Sequence, residues 1–118
     1  MRFLSVYQTA ETNTPPSADH VEKMQALIEE GMKAGWLRAT EGCLPSAMGA
    51  RVRRAGGKTS VTDGPFTESK ELIAGFAIVQ TKSKAEAIAL AERFLKIAGD
   101  GESEIRQMYD APAYPPAG

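Results

Sequence analysis

The sequence is poor in the groups that carry metal or redox chemistry, with one cysteine, Cys43, and one histidine, His20. A single thiol makes no internal disulfide, and no Cys/His cluster has the spacing of a zinc site. This usage fits a reducing cytoplasm, which is the expected location. Long apolar runs are also missing. Nothing approaches the ~20 residues of a membrane span, and the apolar stretch after Arg2 is too short for the core of a signal peptide. Nor is there a surplus of one charge: Lys and Arg total 14 against 15 for Asp and Glu. A protein built to grip nucleic acid normally shows a basic excess on one face. Neither nucleic acid nor membrane is therefore an expected partner. The 118 residues fit one domain with a modest core.

What is present alternates between strand and helix patterns. Phe3 to Thr9 is rich in β-branched and aromatic residues and reads as a strand. After the Pro15-Pro16 loop, Ser17 is a good N-cap, with Asp19 and Glu22 in the first turn, where the helix dipole favours negative charge. Val21, Met24, Leu27, Ile28 and Met32 then share one helical face, up to Gly35 as the residue after the helix. Trp36 to Thr40 is a short extended segment, broken from Gly42 to Pro45. Met48, Ala50 and Val52 alternate with Gly49, Arg51 and Arg53 as a strand, Ala55-Gly56-Gly57-Lys58 turns it, and Thr59 to Thr62 returns. A helical turn or loop is expected over Thr67 to Glu71. Ile73 to Val79 is almost continuously apolar and reads as a central strand covered on both faces. Ser83 caps a second helix with the stripe Ala87, Ile88, Ala91, Phe94, Leu95 and Ala98, stopped at Gly99. Glu104 to Tyr109 is a last, polar edge strand, and the proline-rich tail from Ala111 to Gly118 is irregular.

Two helices can cover only one face of such a sheet. A central strand apolar on both sides needs cover on the second face too. A second copy of the same sheet is the economical source, so a homodimer is expected.

The segment Val61-Thr62-Asp63-Gly64-Pro65-Phe66-Thr67-Glu68-Ser69-Lys70-Glu71 resembles the signature of the DGPF (DGPFAETKE) type within the YCII-related family, with departures at Thr67 and Ser69. Gly42-Cys43-Leu44-Pro45 resembles the family's Gly-Leu-x-Pro segment, and Gly75-Phe76 resembles the pair that opens its next strand. The resemblance spans residues 1–110, which defines the domain. It implies an α+β, ferredoxin-like sandwich that forms a dimeric α+β barrel. Some relatives are similar to small isomerase-like and dehydrochlorinase enzymes, for which a His and Asp pair is the proposed active site. Others are encoded or fused with extracytoplasmic-function sigma factors, which implies a regulatory partner as the alternative role.

Two residues are candidates for proton transfer. His20 is the one imidazole and sits in the first turn of helix one, as the family's proposed histidine does. The competing reading is an exposed surface histidine. Asp63 ends a strand beside Gly64 and could act as a base or orient the imidazole. Asp before Gly is equally ordinary turn chemistry. Arg51 and Arg53 could hold an anionic substrate, or form a solvated strand face. Tyr7 could line the same sheet. Phe66 and Phe76 read as core or interface residues, Trp36 as a plug at the core edge or dimer seam, and Cys43 as no nucleophile, since it lacks a basic neighbour. The expectation is a cofactor-independent isomerase- or lyase-like site without metal, in a pocket between sheet and helices. It would take a small, anionic or cyclic organic ligand.

Overall fold

The computed structural model describes residues 1–110, so the expected irregular tail lies outside the described residues. In chain order the elements are β1 (Arg2–Thr9), α1 (Ala18–Ala34), β2 (Leu37–Gly42), a 3-10 turn (Ser46–Met48), β3 (Ala50–Ala55), β4 (Lys58–Asp63), β5 (Leu72–Gln80), α2 (Lys84–Ala98) and β6 (Glu102–Gln107). Four strands form one antiparallel sheet in the order β2-β5-β1-β6, and β3 and β4 form a separate two-stranded ribbon. The order interleaves two β-α-β halves, with β5 and β1 as the inner strands.

Local chemistry sets the element ends. Ser17 Oγ accepts the His20 backbone N–H at 3.1 Å, and Ser83 Oγ accepts that of Glu86 at 3.2 Å. Each satisfies an amide that the first helical turn leaves without a partner. Gly35 stops α1 in the left-handed region at φ 85°, where its N–H reaches the Gly31 carbonyl. Gly56 and Gly57, at φ 57° and 78°, make the tight turn of the β3–β4 hairpin. Several boundaries differ by a residue or two from those expected, β2 running on to Gly42 and the last strand ending at Gln107 among them. Met48 lies in the 3-10 turn instead of the strand, because its N–H bonds back to the Pro45 carbonyl at 2.9 Å. The last strand runs from Glu102 instead of Glu104, because its pairing with β1 already begins at Gln8 opposite Glu102.

Both helices pack on one face of the sheet. There Phe3, Leu37, Val79 and Ala87 are buried, with Ile28, Trp36, Ala77, Leu90 and Ile105 packed around them. Gly75 is buried as well, and a Cβ there would meet the Glu41 carbonyl oxygen of the neighbouring strand β2 at 2.8 Å. Alternation along the strands sends Leu4, Val6, Phe76 and Ile78 to the opposite face, with Leu4 paired to Ile78 and Val6 to Phe76. These four are only half-buried. The β3–β4 hairpin is an arm exposed over its whole length, and Val52 and Val61, opposite each other in its register, are 71% and 62% exposed.

Arg93 on α2 holds Glu30 on α1 through two hydrogen bonds of 2.7 and 2.9 Å. The Arg93 guanidinium keeps the Glu30 carboxyl below the ordinary glutamate value. A carboxyl lowered in the folded chain stabilises it above the unfolded value, and that contribution disappears as pH falls through the lowered one. Acid titration of the melting temperature should therefore fall less steeply below the ordinary glutamate range in Glu30→Gln than in the parent chain. Equal slopes would show that the pair carries no linkage, as many exposed pairs do.

Candidate functional site

Helices, sheet and the loops beside them line an open cavity of about 600 Å³. Side-chain size explains the space. Gly75 and Ala77 on β5 and Ala87, Ala91 and Ala98 on α2 all reach its wall, and these residues fill little volume between the layers. The larger wall residues Met24, Leu27, Trp36 and Phe94 stand around the gap without closing it. Its volume falls within the range of small-molecule pockets, as does its mostly apolar lining.

Tyr7 and His20 stand on this wall. The Tyr7 ring meets Phe94 edge-on, with centroids 5.0 Å apart at 83°, and its hydroxyl donates to the Asp100 carbonyl at 2.8 Å. The hydroxyl is thus fixed while the ring faces the cavity layer. His20 is half-buried at the start of α1, held there by the Ser17 cap. Its imidazole has no hydrogen-bond partner among the described residues.

The other three candidate residues belong to the arm and are not part of the cavity wall of their own chain. Asp63 is exposed at the end of β4, opposite Ala50. Its carboxylate accepts no hydrogen bond among the described residues. Arg53 is exposed on β3 opposite Ser60. Arg51 is already engaged: its guanidinium lies 3.8 Å from the centroid of the Phe66 ring and donates to Glu68 Oε1 at 2.6 Å. The Glu68 carboxyl is held below its usual range, first by its own backbone N–H and then by Arg51.

These contacts give the Asp63 to Glu71 segment a structural logic. Gly64 passes so close to the 3-10 turn that a Cβ would stand 1.7 Å from the Ser46 carbonyl oxygen, so only glycine fits. Its N–H donates to the Gly49 carbonyl at 3.0 Å, and the Phe66 N–H donates to Ser46 Oγ at 3.1 Å. Ser46 in turn donates its N–H and its hydroxyl to the Glu11 carboxylate, at 2.6 and 2.9 Å. Glu11 lies on the cavity wall, so one chain of hydrogen bonds ties the site to the root of the arm.

Several wall residues were not legible as such in the sequence. Met24, Leu27 and Phe94 read simply as core stripe, Leu44 only as part of the segment like the family's Gly-Leu-x-Pro, and Glu11 and Thr40 carried no signal. The clue that could have found them is the density of Gly and Ala on both β5 and α2, which leaves room between layers. Among the described residues no three His, Cys, Asp or Glu side chains gather as a metal site. Among them also no helix is long and apolar enough to cross a membrane.

A family model described as the YCII-related domain matches residues 1–110. An uncharacterized protein of Rhizobium meliloti (strain 1021) is 34% identical over 68 residues, which are 58% of this chain and 55% of that protein. The chain thus spans about half the length of this curated relative. Among solved structures, 5-chloro-2-hydroxyhydroquinone dehydrochlorinase from Burkholderia phenoliruptrix AC1100, in complex with 2,5-dihydroxybenzoquinone, matches with a TM-score of 0.51. The identity is 15%, over 94% of this chain and 96% of that one, and the likeness shows a shared mixed α+β fold.

Arg51→Ala should leave the sheet intact but free Phe66 and Glu68. The amides of Gly64 and of residues 66–69 should then exchange hydrogen about fivefold faster, by loss of ~1 kcal/mol of local stability. Unchanged exchange there would mean the guanidinium does not hold this turn.

Proposed function

The chain belongs to the YCII-related family, and from that premise we propose that it binds and transforms a small organic molecule in the cavity between its helices and its sheet. The observation that carries this reading is the cavity itself: about 600 Å³, apolar over most of its wall, with the chain's one imidazole on it. His20 is the proton acceptor. It takes a proton from a substrate carbon, and the electron pair left behind either moves to a new double bond with return of the proton elsewhere, or expels a leaving anion. These are isomerisation and elimination, and neither requires a net oxidant or reductant. The dehydrochlorinase of similar fold, with its quinone, supports elimination from a small ring as the first chemistry to try.

In this reading His20 carries the proton transfer, since Asp63 lies off the wall of its own chain's cavity. Arg53, exposed on the same arm, is likewise off that wall.

The working form in this proposal is a homodimer, with two ferredoxin-like units joined as a dimeric α+β barrel. Leu4, Val6, Phe76 and Ile78 support it, since they make an apolar sheet face that neither helix covers. A solution in the cytoplasm, with no cofactor and no metal, is assumed.

With a substrate from a panel of halogenated or isomerisable rings in hand, His20→Gln should lower kcat/KM about 100-fold or more, as expected on losing a general base. Full activity in His20→Gln would sink the proton-transfer reading. Recovery of a sigma factor with the chain, alongside that full activity, would replace it with a partner-binding role. Separately, Ile78→Glu should convert a dimer to monomer in sedimentation analysis, and a parent chain that already sediments as a monomer would remove the barrel.

A further inference from the structure

The cavity wall has an unusual charge composition. The chain carries 14 Lys and Arg residues, yet none of them stands on this wall. The charged residues that do are Glu11 and Glu41, both acidic. Residues 111–118 contain no Lys or Arg, so that segment adds no cation either. Arg51, the basic residue tied most closely to the root of the arm, has its guanidinium taken by Glu68 and the Phe66 ring.

We propose that the site selects uncharged, largely apolar ring compounds and rejects their carboxylate counterparts. This deepens the reading above and rests on it, since it concerns the ligand of the same cavity. The physics is a desolvation argument. A carboxylate entering an apolar cavity gives up its water and must find a cation or several hydrogen-bond donors in return. This wall supplies no cation, and its two acidic residues repel a like charge.

The polar groups that remain suit a neutral ligand. The Tyr7 hydroxyl and that of Thr40 are spent on the Asp100 and Phe76 carbonyls, at 2.8 and 2.9 Å. The Glu11 carboxylate is spent on Ser46. His20 keeps its imidazole free among the described residues, and a neutral imidazole both donates and accepts. A ring hydroxyl can therefore be met at His20 while the rest of the ring lies against Phe94, Trp36, Met24 and Leu27.

Trp36 makes the test direct, because it is the chain's one tryptophan and stands on the wall, so its emission reports occupancy. The probes are para-tert-butylphenol and para-tert-butylbenzoate, which match in shape and differ in charge at neutral pH. The phenol should change Trp36 emission saturably, and the benzoate should bind about tenfold or more weakly, the discrimination of one unpaired charge. Leu44 is 74% exposed on the wall, so L44R adds a cation there without disturbing the core. It should narrow the gap by strengthening the benzoate alone. Benzoate binding equal to or tighter than phenol binding in the parent chain overturns the selectivity while leaving the cavity reading intact. No saturable change with either probe overturns both.

Discussion

The arrangement depends on how little side-chain volume lies between the two helices and the sheet. Among the described residues only Phe3, Leu37, Val79 and Ala87 form the buried apolar core, and Leu37, Val79 and Ala87 also stand on the cavity wall. Beside them Gly75, Ala77, Ala91 and Ala98 leave a gap that protein interiors do not normally tolerate. A void of this kind forfeits dispersion contacts and reduces stability. A chain that keeps it gains a place for another molecule. Core and cavity thus share one packing layer. The same stripe of α1 serves both, with Met24 and Leu27 on the cavity wall and Ile28 on the wall and the core alike.

The arm is the second feature to which the sequence devotes many residues. Its turn is a two-glycine hairpin, and its root is fastened by Gly64, Ser46 and Glu11. Much of the Asp63 to Glu71 signature is accounted for by that fastening. Phe66 lies beneath the Arg51 guanidinium, Glu68 pairs with it, and Gly64 allows two backbones to touch. A motif of this specificity invites a catalytic reading of its aspartate. Its neighbours Gly64, Phe66 and Glu68 each meet a structural demand of the arm's root.

Most element assignments followed from local rules. Ser17 and Ser83 cap helices because their hydroxyls replace a missing carbonyl acceptor, and Gly35, Gly56 and Gly57 stand where φ is positive. These effects act over three or four residues, so sequence order exposes them. Met48 went to a turn because its alternation with Ala50 is compatible with strand and turn alike, and the backbone hydrogen bond to Pro45 decides between them. The site was legible only in part. His20 and Tyr7 are on the cavity wall, and the pocket between sheet and helices was expected from the resemblance. Arg51 read as a candidate ligand holder because no sequence rule places Glu68 and Phe66 beside it across a strand.

By itself the sequence determined the helices and their caps, the hairpin turn, the apolar character of both sides of β5 and the family to which the chain belongs. Each of these is set by periodicity, by backbone freedom or by a run of residues read in order. Only the tertiary structure decided which small residues face one another to leave a cavity, and that none of the chain's cations reaches its wall. Volume and charge at a site are sums over residues distant in sequence, and they take values only when the chain has brought those residues together.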